Sequence, residues 1–250
     1  MQLTVGEIGV DNFWILAVCS IGMYLAFFMV FLLFQLNAQK SAQPNLLVAR
    51  TDFNFKKPNP INIFVVVMLA LCCLTAFILV QFASLEFFYT IGMLKKPEPF
   101  VIGSWGAYFI CVLAMCIMPA VVEELVFRGT ILKSLLDNRK KGSSDIAPIL
   151  ISSLLFALFH LNPAQLVYQF ILGLVCALIY LKTRNLGYAI LAHFINNFFI
   201  VTYTFIAGSD YMPFSWNAYT IVTAILLAIL GSAVIMGLIR LLKKEKHAGQ

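Results

Sequence analysis

The chain has 250 residues, of which 62% are hydrophobic and 11% charged. A soluble globular domain carries about 45–50% apolar and about 25% charged residues. The difference excludes a disordered chain, a collagen, a disulfide scaffold and an ordinary cytosolic enzyme, and leaves an all-α polytopic membrane protein. The net charge of +6 does not point to nucleic acid, because the basic residues form short clusters between apolar runs, which is how membrane topology is encoded.

In chain order, the apolar runs cover about 13–36, 61–94, 101–136, 145–161, 163–182, 187–207 and 217–240. Period-2 alternation is weak and the runs are long, so they predict helices and not barrel strands. The third run would extend roughly 50 Å as a single helix at about 1.5 Å per residue. Pro119 either kinks it or divides it, which gives seven spans, or eight if it doubles back. With seven spans and an outside N-terminus, every basic residue except Lys95 and Lys96 falls on the cytoplasmic side, and so does the C-terminus. The N-terminal segment is acidic and the first run is long enough to span, so no cleavable signal is expected. The stretch 37–60 predicts the longest inner loop. Ser144 or Asp145 predicts a helix N-cap, and Asn162-Pro163 a tight turn. The six cysteines all lie inside apolar runs without zinc-ligand spacing, and read as small buried hydrophobes.

Ionisable groups in lipid are expensive and usually face a protein interior or a water-filled cavity. The chain has few. Glu123, Glu124 and Arg128 occur in AVVEELVFRGT, His160 in FALFHLNP, and His193, Asn196 and Asn197 in LAHFINNF. Glu124 and Arg128 are spaced i,i+4 and pair on one helical face. Glu123 is turned about 100° away and stays outside that pair. His193 and Asn197 share the i,i+4 spacing, as do Phe156 and His160. Counted from Leu136, Asp145 and Leu186 as the cytoplasmic helix ends, Glu123 lies about 20 Å deep, His160 about 22 Å, His193 about 10 Å and Asn197 about 16 Å. Three helices thus predict one carboxylate, two imidazoles and one amide within about a helix diameter of each other. Taken singly, each group has a structural reading: a buried ion pair for Glu124, an interhelical hydrogen bond for a lone histidine. The set together points to chemistry.

The order EExxxR, FxxxH, HxxxN resembles the CAAX-protease and bacteriocin-processing family of intramembrane endopeptidases, also called the Abi family. It reads Glu123-Glu124 to Arg128, Phe156 to His160, and His193 to Asn197, and the intervening text from about 101 to 207 is similar as well. The first two runs carry no such likeness. The resemblance implies a protease core at 101–207, preceded by N-terminal spans and a loop at 1–100 and followed by a last span and basic tail at 208–250. It implies hydrolysis of a peptide bond in a membrane-associated peptide or protein precursor. In that scheme Glu123 is the base that activates water, His160 helps hold the water or a metal, His193 and Asn197 polarise the scissile carbonyl and stabilise the oxyanion, and Arg128 orients the acidic pair through Glu124.

Glu123, His160 and His193 also match the ligand types of a catalytic zinc site, although HExxH is absent, so zinc and a metal-free scheme both stay open. The implied partners are the lipid bilayer and a precursor peptide, in a bacterial-type cell membrane, with no nucleic acid. Two readings of other classes compete: a non-proteolytic bacteriocin-immunity or peptide-binding membrane protein, and a small proton-coupled transporter. The intact polar set speaks against the first, and the lack of an inverted repeat against the second.

Overall fold

The computed structural model describes residues 13–40, 55, 57–95, 102–140, 142–207 and 216–242. Every regular element among them is helical. In chain order these are α1 (Phe13–Lys40), α2 (Pro60–Thr90), α3 (Trp105–Asp137), α4 (Ile146–Phe159), α5 (Pro163–Thr183), α6 (Leu186–Ala207) and α7 (Ala218–Leu241). The fold is a helical membrane bundle. By length and composition α2, α3, α5, α6 and α7 suffice to cross a membrane. Helix α4, with 14 residues, rises only about 21 Å.

The third apolar run does not double back: α3 is continuous for 33 residues, so the eight-span alternative falls away. Its regularity breaks twice without ending the helix, through π-helical segments at Val112–Ile117 and Phe127–Leu132. Single-turn π segments often mark functional positions, and these two flank Glu123 and Glu124. Pro119 follows the first. It has no N–H to donate and its ring crowds the carbonyl four residues earlier, and a widened turn accommodates both effects. In the second segment, side chains engage nearby carbonyls: Thr130 Oγ1 donates to Leu125 O at 3.2 Å and Ser152 Oγ on α4 donates to Phe127 O at 2.9 Å.

The helix ends follow local chemistry. Asn59 caps α2 by accepting from the Ile61 N–H at 2.9 Å, with Pro60 at the first helical position, where a missing N–H costs nothing. Asn162 does the same ahead of Pro163, accepting from Ala164 N at 3.0 Å, so the expected turn is present. At the start of α4, Asp145 occupies the N-cap but makes no side-chain cap bond. Ser144 Oγ accepts from Ile146 N instead. Asn217 and Thr220 form a reciprocal capping box at α7.

Helix α2 lies against α5, α6 and α7; α5 packs on α4 and α6; α3 runs between α1, α4 and α6. The main core joins Val66, Leu69 and Cys73 of α2 to Leu172, Cys176 and Ile179 of α5 and Leu186 and Ala189 of α6. Cys73, Cys111, Cys116 and Cys176 are buried free thiols as expected, whereas Cys19 is exposed on α1. Small residues set the closest crossing. Gly231 of α7 sits so near Ala76 of α2 that a Cβ on the glycine would lie 2.1 Å from the alanine methyl, the close backbone approach that small residues permit between membrane helices.

Candidate active site

Glu123 and Glu124 lie between the two π segments of α3, and both are buried. Their different helical directions give them different partners. Glu124 Oε1 forms the i,i+4 ion pair with Arg128 Nη1, and neither side chain is accessible. Arg128 Nη2 donates to Gly173 O on α5 at 2.9 Å, and the guanidinium carbon stands 4.5 Å above the Phe156 ring centroid on α4. One arginine therefore ties α3 to α4 and α5 by charge, hydrogen bond and cation–π contact.

Gly173 also lies close against α4. A Cβ there would come within 3.1 Å of the Ser153 backbone and side chain.

His193 on α6 completes the buried set: its Nδ1 lies 3.0 Å from Glu124 Oε1. Held against Arg128, Glu124 is a carboxylate and can only accept, so Nδ1 carries the proton. The ring then presents Nε2 as a lone pair when neutral and as a donor when imidazolium. Glu124 thus does more than pair with a cation. It fixes the orientation and tautomer of a histidine on another helix, the role an outer carboxylate plays for a functional imidazole.

Phe156 is the hub of the constellation. Its fully buried ring meets His193 edge-on at 5.5 Å, His160 at 5.0 Å and Phe127 at 5.4 Å, besides lying under Arg128. His160 is not inside a helix as the apolar run implied. It is the residue just after α4, half-buried, with Nδ1 2.9 Å from Phe156 O, and Leu161 beyond it takes a left-handed φ of 51°. The FxxxH spacing therefore does bring its two rings together, at a helix terminus.

Glu123 is less free than its place outside the Glu124–Arg128 pair predicts. Its Oε1 accepts from Tyr24 Oη of α1 at 2.8 Å. Its Oε2 is buried with no hydrogen-bond partner among the described residues. Asn197 Nδ2 donates to Met115 O at 3.1 Å, and its Oδ1 accepts from Asn196 Nδ2 at 3.1 Å. Asn196 in turn accepts from Tyr168 Oη of α5 at 2.5 Å.

The structure thus joins Glu124, Arg128 and His193 by direct contact and links His160 to them through Phe156. Glu123 and Asn197 sit on the same two helices, α3 and α6, with separate partners. Among the described residues, no group of three or more His, Cys, Asp and Glu side chains is placed to hold a metal ion.

Sequence reasoning missed Tyr24 and Tyr168. Tyr24 had a signal: Tyr24, Phe27, Phe28 and Phe31 recur at i, i+3, i+4 and i+7, one face of α1. All four are half-buried, while Leu25, Met29 and Val30 between them are exposed.

Residues 105–199 match the family model described as Type II CAAX prenyl endopeptidase Rce1-like. The match runs from the start of α3 into α6 and takes in all three motifs, so the resemblance drawn from them holds over this segment. It covers less than half of the chain and leaves out α1, α2 and α7. No curated protein and no solved structure matches the chain.

Proposed function

We propose that this chain, with a type II CAAX prenyl endopeptidase core in α3–α6, is an intramembrane endopeptidase that hydrolyses a peptide bond of a membrane-associated precursor. The observation that carries the reading is the division of labour between adjacent glutamates. Both keep a buried Oε2 without a hydrogen-bond partner among the described residues, but Glu124 is clamped at Oε1 by Arg128 and His193, whereas Glu123 is held at Oε1 by the neutral Tyr24 hydroxyl alone and keeps its Oε2 open. That oxygen is suited to take a proton from water as the water attacks the scissile carbonyl.

The other roles follow from what each side chain has left to offer. His160, half-buried at the end of α4, can hold the attacking water. His193, oriented by Glu124, donates from Nε2 to the developing oxyanion when it is imidazolium. Asn197 spends one amide hydrogen on Met115 O and retains the second for the same oxyanion. Arg128 touches no reacting atom in this scheme. It holds Glu124 in place by the ion pair, and is a positioning residue.

Each of these steps uses the chain's own side chains. Zinc, if bound, would be held by His160 and His193 with Glu123, and would supply Lewis-acid activation of the water or carbonyl.

The test is cleavage of farnesylated CAAX peptides and unprenylated leader-type peptides by detergent-purified protein, compared with Glu123→Gln. The variant keeps shape and loses the base, so turnover is expected to drop by at least about 10²-fold, the scale of general-base catalysis, with folding unchanged. Equal cleavage by the two proteins would refute the assignment. If the wild type binds such peptides without cutting any of them, the non-proteolytic peptide-binding reading replaces it.

A further inference from the structure

We infer that Tyr24, on a helix outside the family-matched segment, is a positioning residue of the active site: it holds the Glu123 carboxylate in its working orientation. This rests on the reading of Glu123 as the base.

Three observations converge. First, Tyr24 Oη donates to Glu123 Oε1 at 2.8 Å across 99 residues of sequence. It is the only hydrogen bond to the Glu123 side chain among the described residues, and it leaves the other oxygen unpartnered. A glutamate side chain has three rotatable bonds, so an unheld carboxylate samples several rotamers, and a base must lie within hydrogen-bond reach of the proton it removes. One fixed oxygen defines where the second one points.

Second, Tyr24 is held in register by its own helix. One turn along the same face, the Phe27 ring packs on Phe159 at 5.4 Å, and Phe159 packs on Phe127 of α3 at 5.7 Å. Phe28 and Phe31 continue the face against the main core. Phe159 directly precedes His160. Helix α1 therefore spans from the carboxylate on α3 to the end of α4 that carries the histidine, and forms one wall of the site.

Third, the Glu123 carboxylate is the partner that the structure gives to the polar atom at this place on α1. The next inward aromatic positions, Phe27, Phe28 and Phe31, are phenylalanines, and Phe at 24 would keep its packing area. The hydroxyl adds one hydrogen bond to a buried carboxylate, and a bond to a charged group is worth more than a neutral one.

The test pairs Tyr24→Phe with a spectroscopic probe of the contact. Using a peptide that the wild type cleaves, Tyr24→Phe is expected to lower kcat about tenfold, the scale of one hydrogen bond to a charged group, with KM unchanged; the same lost bond lowers the thermal unfolding midpoint, so turnover is compared at a temperature where both proteins are fully folded. In parallel, 3-fluorotyrosine placed at position 24 should show a 19F resonance that moves on Glu123→Gln and stays in place on Phe27→Leu. Full kcat in Tyr24→Phe, or a change confined to KM, would overturn the positioning role while an inactive Glu123→Gln left the endopeptidase reading standing. Full activity in Glu123→Gln would overturn both. A 19F resonance indifferent to Glu123→Gln would overturn the contact itself, whatever the activity.

Discussion

The side-chain amide of Asn197 on α6 donates to the backbone carbonyl of Met115 on α3, and Met115 stands four residues before Pro119. In a regular helix that carbonyl would accept from the N–H of residue 119, which proline lacks. The asparagine therefore supplies a donor where the imino acid removes one, and in doing so it pins α6 to the π segment just ahead of Glu123.

A double substitution separates this structural bond from the proposed oxyanion contact. Asn197→Ala should destabilise the protein by about 1 kcal/mol, the net value of one hydrogen bond, and lower turnover by about 10²-fold through loss of an oxyanion donor. Adding Pro119→Ala restores an N–H for Met115 and should recover thermal stability without recovering turnover. Recovery of both would show that Asn197 acts only by shaping α3.

Arg128 should prove to be the most sensitive position for folding. Arg128→Ala would leave Glu124 as a buried charge without its cation and free the Gly173 carbonyl. Breaking one side of a buried ion pair costs about 3–5 kcal/mol. Arg128→Lys should rescue little, since an ammonium cannot contact Glu124 and Gly173 at once while lying flat on Phe156. Thermal unfolding of the detergent-solubilised protein checks both. A stable, inactive Arg128→Ala would instead give Arg128 a direct part in the reaction.

The α2–α7 crossing offers a test remote from the site. Gly231→Ala places a methyl 2.1 Å from that of Ala76, so the helices must part. Overpacking of this kind costs typically about 1–3 kcal/mol. Ala76→Gly in the same chain should recover most of the loss. Stability that is unaffected by Gly231→Ala would mean that α7 docks loosely on α2.

What the sequence revealed and what it hid divide along physical lines. The seven apolar runs and the helices agree to within a few residues, because burying a backbone in lipid leaves a helix few alternatives. The Glu124–Arg128 pair was legible because i,i+4 geometry is local. The partners of His193, Glu123 and Asn197 were not, since each depends on how two helices are rotated against each other, and hydropathy does not encode that. Tyr24 was hidden for a second reason: in an apolar helix of near-uniform hydrophobicity, its aromatic face stands out only by spacing. The π segments of α3 were also unreadable, although Pro119 marked where regularity would fail.

The charge pattern predicts sidedness, and exposed positions in the connections can report it. In a chain with Cys19 replaced by Ala, Lys95→Cys should react with an impermeant thiol reagent added outside intact cells, and Ser143→Cys should react only after permeabilisation. Both positions are exposed. The opposite labelling would reverse the orientation drawn from the basic clusters.

The metal question is decided by the two histidines. In the metal-free scheme, the purified active protein holds no stoichiometric zinc, and dialysis against a chelator leaves turnover intact. His193→Ala then loses activity because an oxyanion donor is gone and Glu124 has lost its second contact, with no change in metal content. His160→Ala loses activity through misplacement of the water. A zinc site predicts the opposite on every count. Ligand deletion releases the ion, so metal content should fall in His160→Ala and His193→Ala alike, chelation should inactivate the wild type, and added zinc should restore it. Metal analysis of the wild type and both variants, run beside the cleavage assay, is the deciding measurement. The expected result is an active enzyme without bound zinc, because Glu123, His160 and His193 do not converge on one point among the described residues. Zinc at one equivalent that survives dialysis and disappears in both variants would overturn that expectation and require the three side chains to move together on binding.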